Sequence, residues 1–207
     1  MRQWLAVIVV LVLTRSALCG DIHGTVTSWP TAGNAPSARH GLVWLTSGPD
    51  SVPPSTRPVM GQFKGRFAPD FLAIVAGQTV EMPNRDEVAH NVYSNSPSKK
   101  FNLGFYAKGD HQIVTFDVPG LVEVRCSIHQ AMRATIFVVP NSHFAIIKED
   151  GSFELKNIPK GSYTLKFWAE GMSSESHDVT VGTGDRVEVT LNGMPSRAAE
   201  SVKIGAN

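Results

Sequence analysis

Residues 121–139 read Leu121-Val122-Glu123-Val124-Arg125-Cys126-Ser127-Ile128-His129-Gln130-Ala131-Met132-Arg133-Ala134-Thr135-Ile136-Phe137-Val138-Val139. Alternation with a period of two predicts a strand from Leu121 to Cys126 that puts Val122, Val124 and Cys126 on one face, toward a core. Ala134 to Val139 is a second strongly β-prone run. Between them, Ser127 to Arg133 is a short loop held at both ends by buried strands. Pro119-Gly120 separates the first of these strands from another at Gln112 to Phe116.

The loop carries a C-x2-H-x2-M spacing through Cys126, His129 and Met132, with His90 located 36 residues upstream of the cysteine. One thiolate, two imidazoles and a thioether form a soft nitrogen-plus-sulfur donor set. It suits copper cycling between Cu(I) and Cu(II), with Cys126, His90 and His129 in a trigonal plane and Met132 as a weak axial ligand. Calcium and magnesium need oxygen donors. Zinc would accept the two histidines and the cysteine, but a methionine is a poor fourth ligand for it. Taken singly, Cys126 reads as a small buried hydrophobe, His129 as a surface loop residue and Met132 as a core filler. Their joint spacing between two strands favours ligation. A cysteine nucleophile with His129 as its base is the competing chemistry, which a core-facing cysteine three residues before the histidine suits less well. His23, His40, His111, His143 and His177 are scattered without paired spacing and read as ordinary surface or hydrogen-bonded residues. No paired His-x-His element of a coupled copper oxidase, Ser/His/Asp motif, nucleotide loop or H-E-x-x-H helix is present, so the chain is not expected to be an enzyme.

Composition agrees with an exported β-protein. The 207 residues include 18 glycines and 13 prolines between short Val/Ile/Thr/Phe-rich runs, which argues for strands and turns and against an all-helical chain. Residues 4–13 are an uninterrupted apolar run behind Arg2, too short to span a bilayer, and predict a signal peptide over 1–19. Ala17 and Cys19 are the small residues that place cleavage before Gly20, although Arg15 is untypical there. Acylation of Cys19 is the alternative, but Leu18 stands in the wrong place for a lipidation motif. The expected location is the periplasm, with no stable membrane insertion after cleavage. Loss of Arg2 and Arg15 leaves 17 basic against 18 acidic residues, which removes any nucleic-acid footprint. Cys126 is then the lone thiol of the mature chain in an oxidising compartment. It must be buried, paired between chains, catalytic or metal-bound.

Elsewhere, strands are predicted at Ile22–Val26 and Leu42–Leu45, with a polar linker at 47–58. Extended chain is expected over Val59–Phe67, followed by strands at Phe71–Val75 and Thr79–Met82, with His90 just after the turn at Pro83-Asn84. Past Pro140, strands are expected at Ser152–Leu155, Tyr163–Trp168, His177–Val181 and Val187–Leu191, with turns at Asp150-Gly151 and Pro159-Lys160-Gly161. The organisation read from this is N-terminal strands over 20–55, a first strand-rich segment over 56–140, a second over 141–192 beyond the change of character at Pro140, and a frayed tail over 193–207.

The ligand loop, with His90-Asn91-Val92 upstream, resembles the cupredoxins, the blue copper proteins whose last two strands carry Cys, His and Met in one loop. The spacing here is the short-loop form seen in amicyanin. Met60–Phe67, Pro83-Asn84-Arg85-Asp86, His90–Ser94, Lys100-Phe101, Phe105-Tyr106 and Phe116–Gly120 further resemble bacterial plastocyanin-like proteins, many of them labelled methylamine utilization proteins. Asp150–Phe153 and Ile158–Tyr163 resemble a carboxypeptidase regulatory-like (transthyretin-like) domain. The resemblance implies an all-β chain: a Greek-key cupredoxin sandwich plus a second small β-sandwich, into which the first is inserted if the strands at Ile22 and Leu42 belong to the second. It also implies Asn91 as a residue behind the ligands that ties the two ligand segments together. Relatives commonly have a glycine before the cysteine and an aspartate after the second histidine, where this chain has Arg125 and Gln130. Arg125 should face away from the core, and its charge is expected to raise the reduction potential.

The function expected is single-electron transfer by one type 1 copper per chain, with a transient redox protein as partner and His129 as the port for the electron. Copper delivery or storage would use the same ligands with faster exchange. A structural or adhesive module would leave the donors unused.

Overall fold

The computed structural model describes residues 18–30, 40–48 and 52–194. The apolar leader over 1–17, the Pro/Gly-rich stretch over 31–39 and the tail from 195 onward lie outside them. Among the described residues the chain is all-β. The N-terminal strands are β1 (Cys19–Thr27) and β2 (Gly41–Leu45), followed by the short pair β3 (Gly61–Phe63) and β4 (Arg66–Ala68). Next come β5 (Phe71–Val75), β6 (Gln78–Pro83), β7 (His90–Ser96), β8 (Lys99–Tyr106), β9 (His111–Phe116), β10 (Gly120–Cys126) and β11 (Arg133–Val139). The C-terminal strands are β12 (Phe144–Ile146), β13 (Ser152–Pro159), β14 (Gly161–Ala169), β15 (Glu175–Val181) and β16 (Arg186–Asn192). No described helix is long and apolar enough to cross a membrane.

One sandwich is built from β3 to β11. Its five-stranded sheet has the order β5-β11-β10-β7-β8, and it faces the β6-β9 pair and the β3-β4 hairpin. Alternation in β6, β9, β10 and β11 turns Val80, Met82, Phe116, Val122, Val124 and Ile136 into one fully or almost fully buried core. The other sandwich packs β13-β1-β16 against β12-β2-β14-β15, closing on Ile22, Leu45, Phe153, Leu165, Phe167 and Leu191. Both N-terminal strands are central in it. β1 lies between β13, antiparallel, and β16, parallel, while β2 lies between β12 and β14. The β3–β11 sandwich therefore sits between β2 and β12 in sequence, as an insertion in the second one. Strand β1 begins at Cys19, one residue ahead of the expected cleavage point.

A third cluster joins the two bodies. Leu42 from the second sandwich meets Phe71, Val75, Phe137 and Val139 on the outer face of the five-stranded sheet, with Trp44 and Trp168 packed around them. The Phe137 ring lies 5.1 Å from both tryptophans, centroid to centroid.

Two features differ from the sequence-based expectations. Val59–Phe67 is not one extended segment, because Lys64 and Gly65, at φ 54 and 68, fold it into the β3-β4 hairpin. His90 lies past the turn at Pro83-Asn84, where it opens the seven-residue β7. Strands β7, β8 and β12 are not among the expected strands; β8 carries a bulge at Gly104, at φ 68, beside a register shift between Asn91 and Tyr93.

Candidate metal centre

Cys126 is the last residue of β10 and, with Val122 and Val124, faces the core, where it is 4% exposed. Arg125 points the other way and bonds Glu123 through Nη2 at 2.7 Å. Strand β7 pairs with β10 through Val92 opposite Cys126, which brings His90, fully buried, to the same end of the sandwich. The ligand loop closes tightly on itself. The Met132 N–H donates to the His129 carbonyl at 2.9 Å and the Cys126 N–H to the Met132 carbonyl at 3.3 Å.

This closure converges the donors. Cys126 Sγ lies 3.6 Å from His90 Nδ1 and 3.7 Å from His129 Nδ1, and the two Nδ1 atoms are 3.2 Å apart. A circle through atoms at these separations has a radius of about 2.0 Å, close to the length of a metal–imidazole bond. The three are the one His/Cys/Asp/Glu group among the described residues with metal-binding spacing. Met132, 1% exposed, belongs to the same core cluster as Cys126. A copper ion fits this set: two imidazole nitrogens and a sulfur around one point, with a thioether in the adjoining core and no carboxylate among the donors.

Asn91 ties the ligand segments through its backbone, since its carbonyl accepts the Ser127 N–H at 3.1 Å. Its buried side-chain Oδ1 has no hydrogen-bond partner. Behind His90, Tyr106 stands opposite it across β7-β8. Burial pushes the Tyr106 hydroxyl well up, only partly offset by Gln62 nearby.

Sequence reasoning assigned no role to Asp86, whose Oδ2 lies 3.0 Å from His90 Nε2. Burial pushes its carboxyl up, but the Gly65 N–H, His90 and the Lys64 N–H outweigh this and hold it below the usual carboxylate range. The signal available in sequence was slight: an acid four residues before a histidine. The remaining described histidines stand apart from the centre. His23 lies 3.5 Å from Glu154, His40 lies 3.3 Å from Asp70, and His177 lies 3.0 Å from Glu175. Burial lowers the pKa of His143. A cleft of about 360 Å³ lined by His40, Asp70, Glu123, Arg125, Arg133 and Glu170 includes none of the donors.

Residues 143–189 match the family model described as polysaccharide lyase family 4, domain II, a description other than the regulatory-like domain that this part of the sequence resembles. No curated protein matches the chain. Among solved structures it is similar to a reduced amicyanin variant, with 22% identity over 46% of this chain and 97% of that one, at a TM-score of 0.38. It is also similar to a purple cupredoxin from Nitrosopumilus maritimus, with 26% identity over 39% of this chain and 98% of that one, at a TM-score of 0.35. A third is the copper-containing nitrite reductase of Thermus scotoductus SA-01, with 26% identity over 40% of this chain and a TM-score of 0.38. This chain spans only 22% of that reductase.

Proposed function

We propose that the chain is an exported, periplasmic type 1 copper protein of the cupredoxin kind that carries single electrons and catalyses no reaction of its own. The observation that supports this most is the convergence of His90 Nδ1, Cys126 Sγ and His129 Nδ1 on one point at bonding distance, beside Met132. Copper held there supplies a one-electron couple. The protein's part is to keep the donors still: His90 and Cys126 are fixed by paired strands, and the loop carrying His129 and Met132 is closed by its own backbone hydrogen bonds. A donor set that need not rearrange suits both oxidation states.

Burial favours carriage over delivery in this reading, because His90, Cys126 and Met132 are 0%, 4% and 1% exposed and offer a chelator little access. His129 is the least buried of the four, and beside it Ile128 is 49% exposed. Phe105, 63% exposed, lies opposite Asn91, whose carbonyl holds Ser127. This apolar rim at the His129 edge is the proposed docking surface for a weakly bound redox partner. The second sandwich is read as a regulatory-like module that braces the first.

Voltammetry of the copper-loaded protein should give a reversible one-electron wave, and copper should pass to a competing chelator slowly. Rapid transfer to the chelator with no reversible wave would replace carriage with delivery.

A further inference from the structure

We infer that Asp86 is a positioning residue of the metal centre, and that the tip of the β3-β4 hairpin holds it in place. The part of this inference that concerns the reduction potential rests on the copper reading above. The part that concerns His90 does not.

His90 is buried, and its Nε2 lies 3.0 Å from Asp86 Oδ2, whose side chain is 11% exposed. A neutral imidazole has one N–H, and an ionised carboxylate can only accept. Nε2 is therefore the donor, and the lone pair is left on Nδ1, the atom that faces Cys126 and His129. The carboxylate is in turn clamped from the far side. Lys64 and Gly65 both take the left-handed conformation, which turns two successive N–H groups to one side as an anion-binding concavity. The Lys64 N–H donates to Asp86 Oδ1, and the Gly65 N–H to Oδ2 at 2.9 Å. A side chain at position 65 would meet nothing within 4 Å, so the glycine is there for its backbone conformation, not for space.

The hairpin is laced to the ligand segment as well. The Gln62 carbonyl accepts the Arg85 N–H at 2.9 Å, and Asn84 Oδ1 accepts the Asp86 N–H at 2.9 Å. The order of hold is hairpin tip, carboxylate, imidazole, metal-facing nitrogen. Two consequences follow. The tautomer and ring orientation of His90 are set before any metal arrives. The carboxylate's negative charge, delivered through the imidazole, also favours the more highly charged oxidised ion and lowers the reduction potential.

The test uses the full chain, ¹⁵N-labelled, first without metal. The His90 ring nitrogens should show the Nε2–H tautomer in the wild type and in Asp86→Asn, whose amide oxygen still accepts, and a mixture of tautomers in Asp86→Leu. With Cu(II) as the probe, Asp86→Leu should bind roughly 10–100-fold more weakly, as expected when the partner behind a ligand is lost. Asp86→Asn should lose less Cu(II) affinity than Asp86→Leu, because its amide oxygen still accepts from Nε2, and should shift its potential positive as the loss of the charge weakens the oxidised form. A wild-type His90 in the Nδ1–H tautomer would overturn the proposal even if Asp86→Leu fails to fold. Wild-type affinity in Asp86→Leu together with an unmoved potential in Asp86→Asn would overturn it too. A wild-type protein that binds no copper would defeat the proposed function instead, and the tautomer would still decide the role of Asp86.

Discussion

Glu175 joins the last two strands of the second sandwich, and its charge is what makes the joint. Its Oε2 accepts the Asn192 N–H at 2.8 Å, and Oε1 lies 3.0 Å from His177 Nε2. Burial pushes its carboxyl up, but the Asn192 N–H and His177 prevail and hold it below its ordinary value of 4.5. A carboxylate with a depressed pKa binds fewer protons folded than unfolded, so its stabilisation is present above the ordinary value and is lost as pH falls through the folded one. Denaturant unfolding of Glu175→Gln beside the wild type should show a stability gap at neutral pH that closes as pH falls from about 5 toward 3. A gap that does not change with pH would mean that the side chain acts by packing alone. At this scale Cys126, His129 and Met132 could be read in the sequence because one short loop carries all three at a spacing that soft donors explain. Asp86 could not, since its clamp comes from Lys64 and Gly65, 22 and 21 residues away.

Strands rich in Val, Ile, Phe and Leu announce themselves by alternation, and β5, β6, β9, β10, β11 and β14 lie where that pattern put them. Strand β7 reads His-Asn-Val-Tyr-Ser-Asn-Ser, a composition that avoids strands by local preference. It forms because β10 pairs with it on one side and β8 on the other. The β3-β4 hairpin was hidden for a different reason: its turn depends on Lys64 in a left-handed conformation, which the residue type does not advertise. The placement of β1 and β2 in the middle of both sheets of the second sandwich has a direct consequence. A fragment of residues 141–207 keeps β12 to β16 but loses the strands that join β13 to β16 and β12 to β14. It should show no cooperative unfolding transition and a collapsed amide spectrum, where an independent domain would show dispersed signals and a sharp transition.

Across the molecule, the two sandwiches share one apolar seam. Phe71 stacks on Trp168 at 6.1 Å with 8° between the rings, and on its other side stacks 4.7 Å from His40. With Phe137 between Trp44 and Trp168, both bodies lose exposed aromatic surface at the junction, which favours unfolding as one unit. The chain crosses between the bodies twice, after β2 and before β12, which further ties their motions. The all-β class was legible in turn spacing and alternation, and the second sandwich only in the resemblance carried by Asp150–Phe153 and Ile158–Tyr163. The seam was not, because its residues alternate with those of the first core along the same strands, β5 and β11, and nothing in a strand's period says what covers its outer face. The candidate metal centre stands at the end of this braced body, and one measurement reaches it directly: the visible absorption spectrum of the protein with one equivalent of Cu(II), beside that of Cys126→Ser. An intense thiolate-to-copper charge-transfer band in the wild type, absent from the variant, is the predicted result. A wild-type protein that stays colourless and releases its copper on desalting would contradict it.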